Sequence, residues 1–293
     1  MEGYFFKQVD NKMFSIYHAI YSDNNIFLSY DWEEYIESFI PQDTGYIIYD
    51  KGNPVGGVDI HDNCIRSPFL IPPYNNRLEF WKQVLSYLRS EIGAKEINFN
   101  YINNQDSDIL ISLGATVRHA QRRMLRPTCK YSINPDRNYK FTIPDNADKQ
   151  EIVQLVYTAH RYGYTSAIKG APSIESIQEA IDRRYDLFSK TNTLHFGTVV
   201  KEAETDKIVA VCIAGIYPDS PNNFATIHQV SVLPEYRKKG IAKAMIRNTI
   251  NTAHAVSPAI GLGVLIGNPA ELLYEQLGFT KGPNYADMTL QLW

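Results

Sequence analysis

The sequence predicts an α/β (α+β) chain in which one plan of strands and helices is used twice. Three observations carry this. Strand-like stretches alternate with amphipathic helical ones, an order that requires a sheet packed with helices. The order of the first half recurs in the second, and short landmarks recur at a nearly constant separation. At 293 residues, with 44% hydrophobic and 21% charged residues, the chain has ordinary globular composition and room for two cores.

In the first half, Tyr4 to Val9 reads as a strand and Asn11 to Tyr21 as a helix. Gly45 to Tyr49 and Val55 to Ile60 read as a hairpin, and Arg77 to Ser90 as a helix. A strand over Glu96 to Tyr101, a short helix over Ser107 to Leu113 and a strand over Val117 to Leu125 close the first copy. In the second half, Tyr139 to Ile143 is a strand and Lys149 to His160 a helix. Thr198 to Val200 and Ile208 to Tyr217 form a hairpin, followed by a strand over Ala225 to Leu233. A helix from Gly240 to about Ala253, a strand over Gly261 to Ile266, a helix over Ala270 to Leu277 and a strand over Tyr285 to Leu292 complete it.

Leu113-Gly114-Ala115 matches Leu277-Gly278-Phe279 at 277 − 113 = 164, and Asn104 matches Asn268 at the same separation. Ile71-Pro72-Pro73-Tyr74 matches Leu233-Pro234-Glu235-Tyr236 at 233 − 71 = 162, a drift that a loop absorbs. The two copies are expected at residues 1–130 and 138–293, with a turn at Asn134-Pro135-Asp136 in the seam.

The net charge of −3 and scattered Lys and Arg argue against a nucleic-acid partner. No run approaches the roughly 20 apolar residues of a membrane span, and the start Met1-Glu2-Gly3-Tyr4-Phe5-Phe6 lacks the pattern of a leader. Cys64, Cys129 and Cys212 are far apart with no Cys-x-x-Cys spacing, which suits a reducing cytoplasm. A soluble cytoplasmic protein without a metal site is therefore expected.

The strongest local signal is Val232-Leu233-Pro234-Glu235-Tyr236-Arg237-Lys238-Lys239-Gly240-Ile241-Ala242. A strand runs into a turn and then a helix, whose Ala242, Met245, Ile246, Thr249, Ile250 and Ala253 share one face. A helix start offers unpaired N–H groups and positive dipole, the arrangement that receives a pyrophosphate. Spacing alone is equally compatible with a plain strand–helix turn bearing solvated basic residues.

This stretch resembles the Arg/Gln-x-x-Gly-x-Gly/Ala motif of the Gcn5-related N-acetyltransferase (GNAT) superfamily. Asn268-Pro269-Ala270-Glu271-Leu272-Leu273-Tyr274-Glu275-Gln276-Leu277-Gly278-Phe279 is similar to that family's second signature. The resemblance covers Tyr139 to Trp293 well and the first half more weakly, as in tandem members such as the mycothiol synthases. It implies two acetyltransferase-like domains, each a mixed, mostly antiparallel sheet flanked by helices. It also implies an acetyl-CoA cosubstrate, no metal, and acetyl transfer to the amine of a small molecule. By resemblance, the amides of Arg237, Lys238, Lys239, Gly240, Ile241 and Ala242 hold the CoA pyrophosphate. The backbone around Val230 and Val232 pairs with the pantetheine arm, Asn268 binds the same arm, and Tyr274 stands beside the thioester sulfur.

Tyr274 is a phenol with a reference pKa of about 10, able to protonate a departing thiolate; on its neighbours alone it equally reads as a core residue beside Leu273 and Leu277. His228 stands where many of these enzymes carry a catalytic Glu. It reads as a base titrating near 6 to 7, or as a packed histidine sharing strand parity with Val230 and Val232. The first copy departs from the motif: Leu78, Phe80, Asn75 and Leu110 stand where the second has Gly240, Ala242, Arg237 and Tyr274. It reads as a degenerate scaffold. The acceptor is expected between the copies or beneath the segment Tyr157 to Tyr185, which carries Tyr162, Tyr164, Glu175 and Glu179. Two other functions fit the family: a non-catalytic acyl-CoA sensor, and a tandem aminoacyl transferase using charged tRNA. Retained Tyr274 argues against the first, and the missing basic face against the second.

Overall fold

The computed structural model describes residues 3–22, 43–132, 136–217 and 223–292. In chain order the first elements are β1 (Tyr4–Val9), α1 (Asn11–Tyr21), β2 (Gly45–Asp50), β3 (Asn53–His61), β4 (Cys64–Leu70) and α2 (Arg77–Tyr87). Then come β5 (Glu96–Asn103), α3 (Asn104–Ser112), β6 (Thr116–Pro127), β7 (Tyr139–Thr142), α4 (Lys149–His160), α5 (Tyr164–Lys169) and α6 (Ile174–Lys190). The rest are β8 (Thr198–Glu202), β9 (Ile208–Ile216), β10 (Ala225–Val232), α7 (Ile241–Ala253), β11 (Ala259–Leu265), α8 (Ala270–Gln276) and β12 (Thr280–Gln291). The chain forms two compact units, Met1–Gln121 with Pro283–Trp293, and Arg122–Gly282.

In the first unit β1, β2, β3 and β4 pair antiparallel in sequence order, and β4 then pairs parallel with β5 through Cys64↔Asn98 and Ile65↔Phe99. In the second, β7, β8, β9 and β10 pair antiparallel and β10 pairs parallel with β11. The plan is therefore the same, a meander followed by one parallel pair. The sixth strand is exchanged. β12 pairs antiparallel with β5 in the first unit, while β6 neighbours β11, and Leu125 of β6 packs at Gly261 in the second. Ala286, Met288 and Leu290 alternate inward from β12 to the first unit's core around Trp81 and Phe99, and Met124 of β6 joins the second core. The compact units thus differ from consecutive blocks at 1–130 and 138–293, because pairing assigns the two closing strands crosswise.

The copies also share a helix ending. Ala115 N donates to Leu110 O at 2.9 Å, and Phe279 N to Tyr274 O at 3.0 Å; Gly114 and Gly278 are both left-handed, with φ 98° and 82°. Each is a glycine closing a helix by satisfying orphan carbonyls, at the 164-residue separation read from the sequence.

Two features differ from the sequence reading. β4 forms in a stretch that the sequence assigns to no element, because Cys64-Ile65-Arg66-Ser67-Pro68 contains a proline and no clean alternation. The segment after Tyr162 forms helices α5 and α6; α6 is capped by Ser173 Oγ accepting from Ser176 N, and buries Ile177, Ile181, Tyr185 and Phe188. The seam residues Asn134 and Pro135 lie outside the described residues. Asp136 accepts from Asn138 N and Tyr139 N, leading the chain into β7.

The second unit's sheet is covered on one face by α7, with α8 packed against the same core, and on the other by α4 and α6. Met245, Ile246, Ile250 and Tyr274 belong to the first layer; Ile152, Val156, Ile181 and Phe188 belong to the second. Among the described residues, no helix is long and apolar enough to cross a membrane.

Candidate acyl-CoA and acceptor site

β10 pairs with β11 only through Ala225, Thr226 and Ile227, whereas its pairing with β9 continues to Val232↔Ala210. Beyond Ile227 the two parallel strands therefore part, and the edge of β10 carrying Val230 and Val232 has no strand partner. A short 3₁₀ turn over Pro234–Tyr236 follows β10; Lys238 (φ 60°) and Gly240 (φ 78°) are left-handed, and α7 begins at Ile241. No side chain caps α7. A Cβ on Gly240 would meet nothing within 4 Å, so the space before the helix start is open. The first amides of a helix have no intrahelical acceptor, and here they face that space at the positive end of the dipole.

The flanking cations are anchored differently. Arg237 Nη2 donates to Ala159 O at 2.7 Å and Nε to Val232 O at 3.2 Å, fixing the turn against α4 and β10. Lys239 Nζ stands 4.8 Å from the Tyr236 ring centroid, and Lys238 is exposed. Ile241 is buried and anchors the helix; Ala242 is half-exposed beside Gly240.

At the end of β11, Asn268 Oδ1 accepts from Ala270 N at 3.0 Å and caps α8. Glu271 Oε1 accepts from Gly267 N at 2.7 Å, and its other oxygen lies 3.4 Å from Arg122 Nε. The Tyr164 hydroxyl donates to Ile266 O at 2.9 Å. These contacts hold the turn before α8, which buries Tyr274 against Phe279 with ring centroids 6.0 Å apart. Burial, and then the neighbouring Cys212, push the Tyr274 phenol above its ordinary pKa, so it stays protonated at neutral pH.

His228 departs from expectation in two ways. The register shifts between Ile227 and Gln229, so His228 is the extra residue of a bulge and loses parity with Val230 and Val232. Those valines pack toward α7, whereas the His228 ring lies 5.4 Å from Phe188 and 5.2 Å from Tyr217 on the other face. Burial, with the charges of Arg184 and Arg123, lowers its pKa to about 3, which favours the neutral ring. Its Nε2 is buried, with no hydrogen-bond partner among the described residues.

Of the expected acceptor segment, Tyr164 reaches the β11 end and Tyr157 is half-buried. Tyr185 is core, while Tyr162, Glu175 and Glu179 are exposed. Sequence reading missed Arg184, Phe188, Tyr217 and the cluster in which His160 Nε2 lies 3.2 Å from Ser231 Oγ and 2.7 Å from Gln229 Nε2. For Arg184 a signal existed, since it falls three residues after Ile181 and four before Phe188, on the apolar stripe of α6.

The described residues of the first unit are arranged differently at the corresponding positions. Asn76 Oδ1 caps α2 by accepting from Glu79 N at 3.1 Å, Phe80 is buried, and Leu110 replaces the phenol. The Trp81 indole and Arg77 both donate to buried Asp106. Among the described residues, no group of three or more His, Cys, Asp or Glu is placed to hold a metal.

Residues 164–279 match the family model of the acetyltransferase (GNAT) family. Among solved structures, the chain is similar to a GCN5-related N-acetyltransferase from Sphaerobacter thermophilus, with TM-score 0.69, 13% identity, and 98% of this chain and 95% of that one covered. It is also similar to a GNAT-family acetyltransferase from Colwellia psychrerythraea, with TM-score 0.58, 13% identity and coverage of 98% and 100%. A tandem GNAT protein from the clavulanic acid biosynthesis pathway superposes with TM-score 0.52, 10% identity and coverage of 84% and 82%. At these identities the likeness establishes the fold. No curated protein matches the sequence.

Proposed function

We propose that this protein, whose residues 164–279 match the model of the acetyltransferase (GNAT) family, is an N-acetyltransferase that uses acetyl-CoA to acetylate the amine of a small molecule. The observation that carries this reading is the open, uncapped start of α7 at Gly240, directly beyond the point where β10 and β11 part. An acyl-CoA is a pyrophosphate on an extended amide-bearing arm, and this site offers an anion cradle continuous with an unpaired strand edge. The thioester supplies the activated acetyl group when bound.

The chain's own residues then have distinct tasks. The amides from Arg237 to Ala242 receive the diphosphate, with Lys238 and Lys239 adding charge. The backbone at Val230 and Val232, with Asn268, aligns the arm. Tyr274, protonated and water-poor, donates its proton to the departing sulfur as the acceptor amine attacks directly. His228 contributes a neutral ring with an unpaired nitrogen on the opposite face of β10, suited to orienting the acceptor by hydrogen bonding. The first copy, with its capped helix and no phenol, serves as a scaffold without acyl-CoA chemistry.

Calorimetric titration with acetyl-CoA tests the site. One molecule is expected to bind per chain. Gly240→Asp should weaken affinity by tenfold or more, as a carboxylate opposes the diphosphate, while Gly240→Asn, which also tolerates a left-handed φ, should lose less. Equal affinity in both variants and wild type would remove the reading. Tight binding with no acetylation of any amine would instead favour a sensor.

A further inference from the structure

Arg184 is a cation in a place built for apolar side chains. On α6 it follows Ile181 by three residues and precedes Phe188 by four, both buried in the core beneath the sheet. Its side chain is half-buried, and among the described residues no carboxylate pairs with it. Two acidic residues flank it at two positions along the helix, a spacing that does not bring side chains onto one face: Asp182 is held by Lys149 at 3.1 Å and by Gln178 at 2.8 Å, and Asp186 is exposed. Placing an uncompensated guanidinium against a core costs free energy unless an anion arrives to pair with it.

Its neighbourhood describes what arrives. Phe188, one turn beyond Arg184, touches the His228 ring, which Tyr217 meets edge-on at an interplanar angle of 87°. His228 Nε2 is a buried polar atom with no hydrogen-bond partner among the described residues. Arg123 lies on the same side, with a partner of its own: Arg122 and Met124 on β6 face Glu271 and the α7 core, so alternation turns Arg123 to the opposite face, that of His228. Both arginines act electrostatically on His228. Cation, aromatic walls and an unpaired ring nitrogen thus gather at the bulge where β10 and β11 begin to part.

We infer that Arg184 receives an oxyanion on the acceptor, so that the acceptor is an amine that is also an acid, bearing a carboxylate or a phosphate. This rests on the acetyltransferase reading above and adds to it the chemical class of the second substrate. A planar guanidinium pairs with either oxyanion through two parallel N–H donors, and the amine then projects along the aromatic walls toward the unpaired edge of β10.

The test is acetylation kinetics of the full chain with matched acceptor pairs. The pairs are the amino acids with their amides, phosphoethanolamine with ethanolamine, and amino-sugar phosphates with the free amino sugars. Wild type is expected to favour the anionic member of a responsive pair by about tenfold or more in kcat/KM, and the responsive pairs tell carboxylate from phosphate. Arg184→Met should abolish the preference through KM for the acid, leaving the neutral member and acetyl-CoA affinity unchanged; Arg184→Lys should restore part of it. The inference is overturned if the Met variant keeps the preference, if neutral amines are favoured, or if no member is acetylated. Acetyl-CoA titration of the same samples separates the two failures, since lost cosubstrate binding removes the acetyltransferase reading itself.

Discussion

Tyr274 and His228 show how one unit drives two titratable groups by burial in opposite senses of use. Burial favours the protonated phenol and the neutral imidazole, the states that the proposed donor and the proposed hydrogen-bonding ring need. Tyr274→Phe removes only the hydroxyl and keeps the ring against Phe279. Turnover should therefore fall by about 10²- to 10⁴-fold with acetyl-CoA affinity nearly unchanged, as steady-state kinetics and titration would show. For His228 the sign of the pH effect follows from linkage. Its folded pKa of about 3 lies below the ordinary 6.5, so between these values the unfolded chain binds a proton that the folded one does not. Stability held above pH 6.5 is lost as pH falls toward 3. His228→Phe should flatten this part of a stability-versus-pH curve, while any rate limb near pH 6 to 7 stays where it was. A limb that vanishes in the variant would return the histidine to the role of titrating base.

At the scale of elements, the site depends on how α8 is fastened. Its seven residues are too few to be stable alone, so the turn before it carries the alignment. Glu271 accepts from Gly267 N and pairs with Arg122, both side chains being largely buried. Glu271→Ala orphans an amide and a guanidinium together, and should destabilise the second unit by about 2–4 kcal/mol in chemical denaturation. It should also lower turnover, because Tyr274 rides on the same helix. Glu271→Gln keeps the acceptor and should cost less. The first copy's corresponding helices show the alternative use of the same frame: an asparagine caps one, and a buried aspartate ties the other to Trp81 and Arg77. A helix start that is capped by its own chain has no amides to spare for a ligand.

For the whole molecule, the consequence is in the closing strands. β12 lies beside β5 and buries Met288 fully, so the last residues of the chain complete the unit that folds from its beginning. Ending the chain after Gly282 should expose Ile97, Phe99 and Ile102 and raise hydrogen exchange throughout β4 and β5. The core around Met245 and Ile250 should keep its protection if it closes with β6 alone. Exchange that rises equally in both units would show that they unfold as one.

The sequence by itself determined the class of fold, the doubling, and the strand–turn–helix that starts at Gly240. These rest on local periodicity and on glycines whose conformation is a local demand, as Gly114, Gly240 and Gly278 confirm with their left-handed φ. It also placed the helix boundaries at Asn11–Tyr21 and Lys149–His160, where apolar spacing is unbroken. What only the tertiary structure decided depends on partners distant in sequence. Strand identity for β4 comes from pairing with β3, and the exchange of β6 and β12 comes from which edge each strand meets. The side of the sheet to which His228 points comes from a single-residue shift against β9, which no alternation pattern records. Arg184 was legible as an arginine on an apolar stripe; that no carboxylate among the described residues meets it is a property of the folded chain, because pairing is decided by neighbours in space.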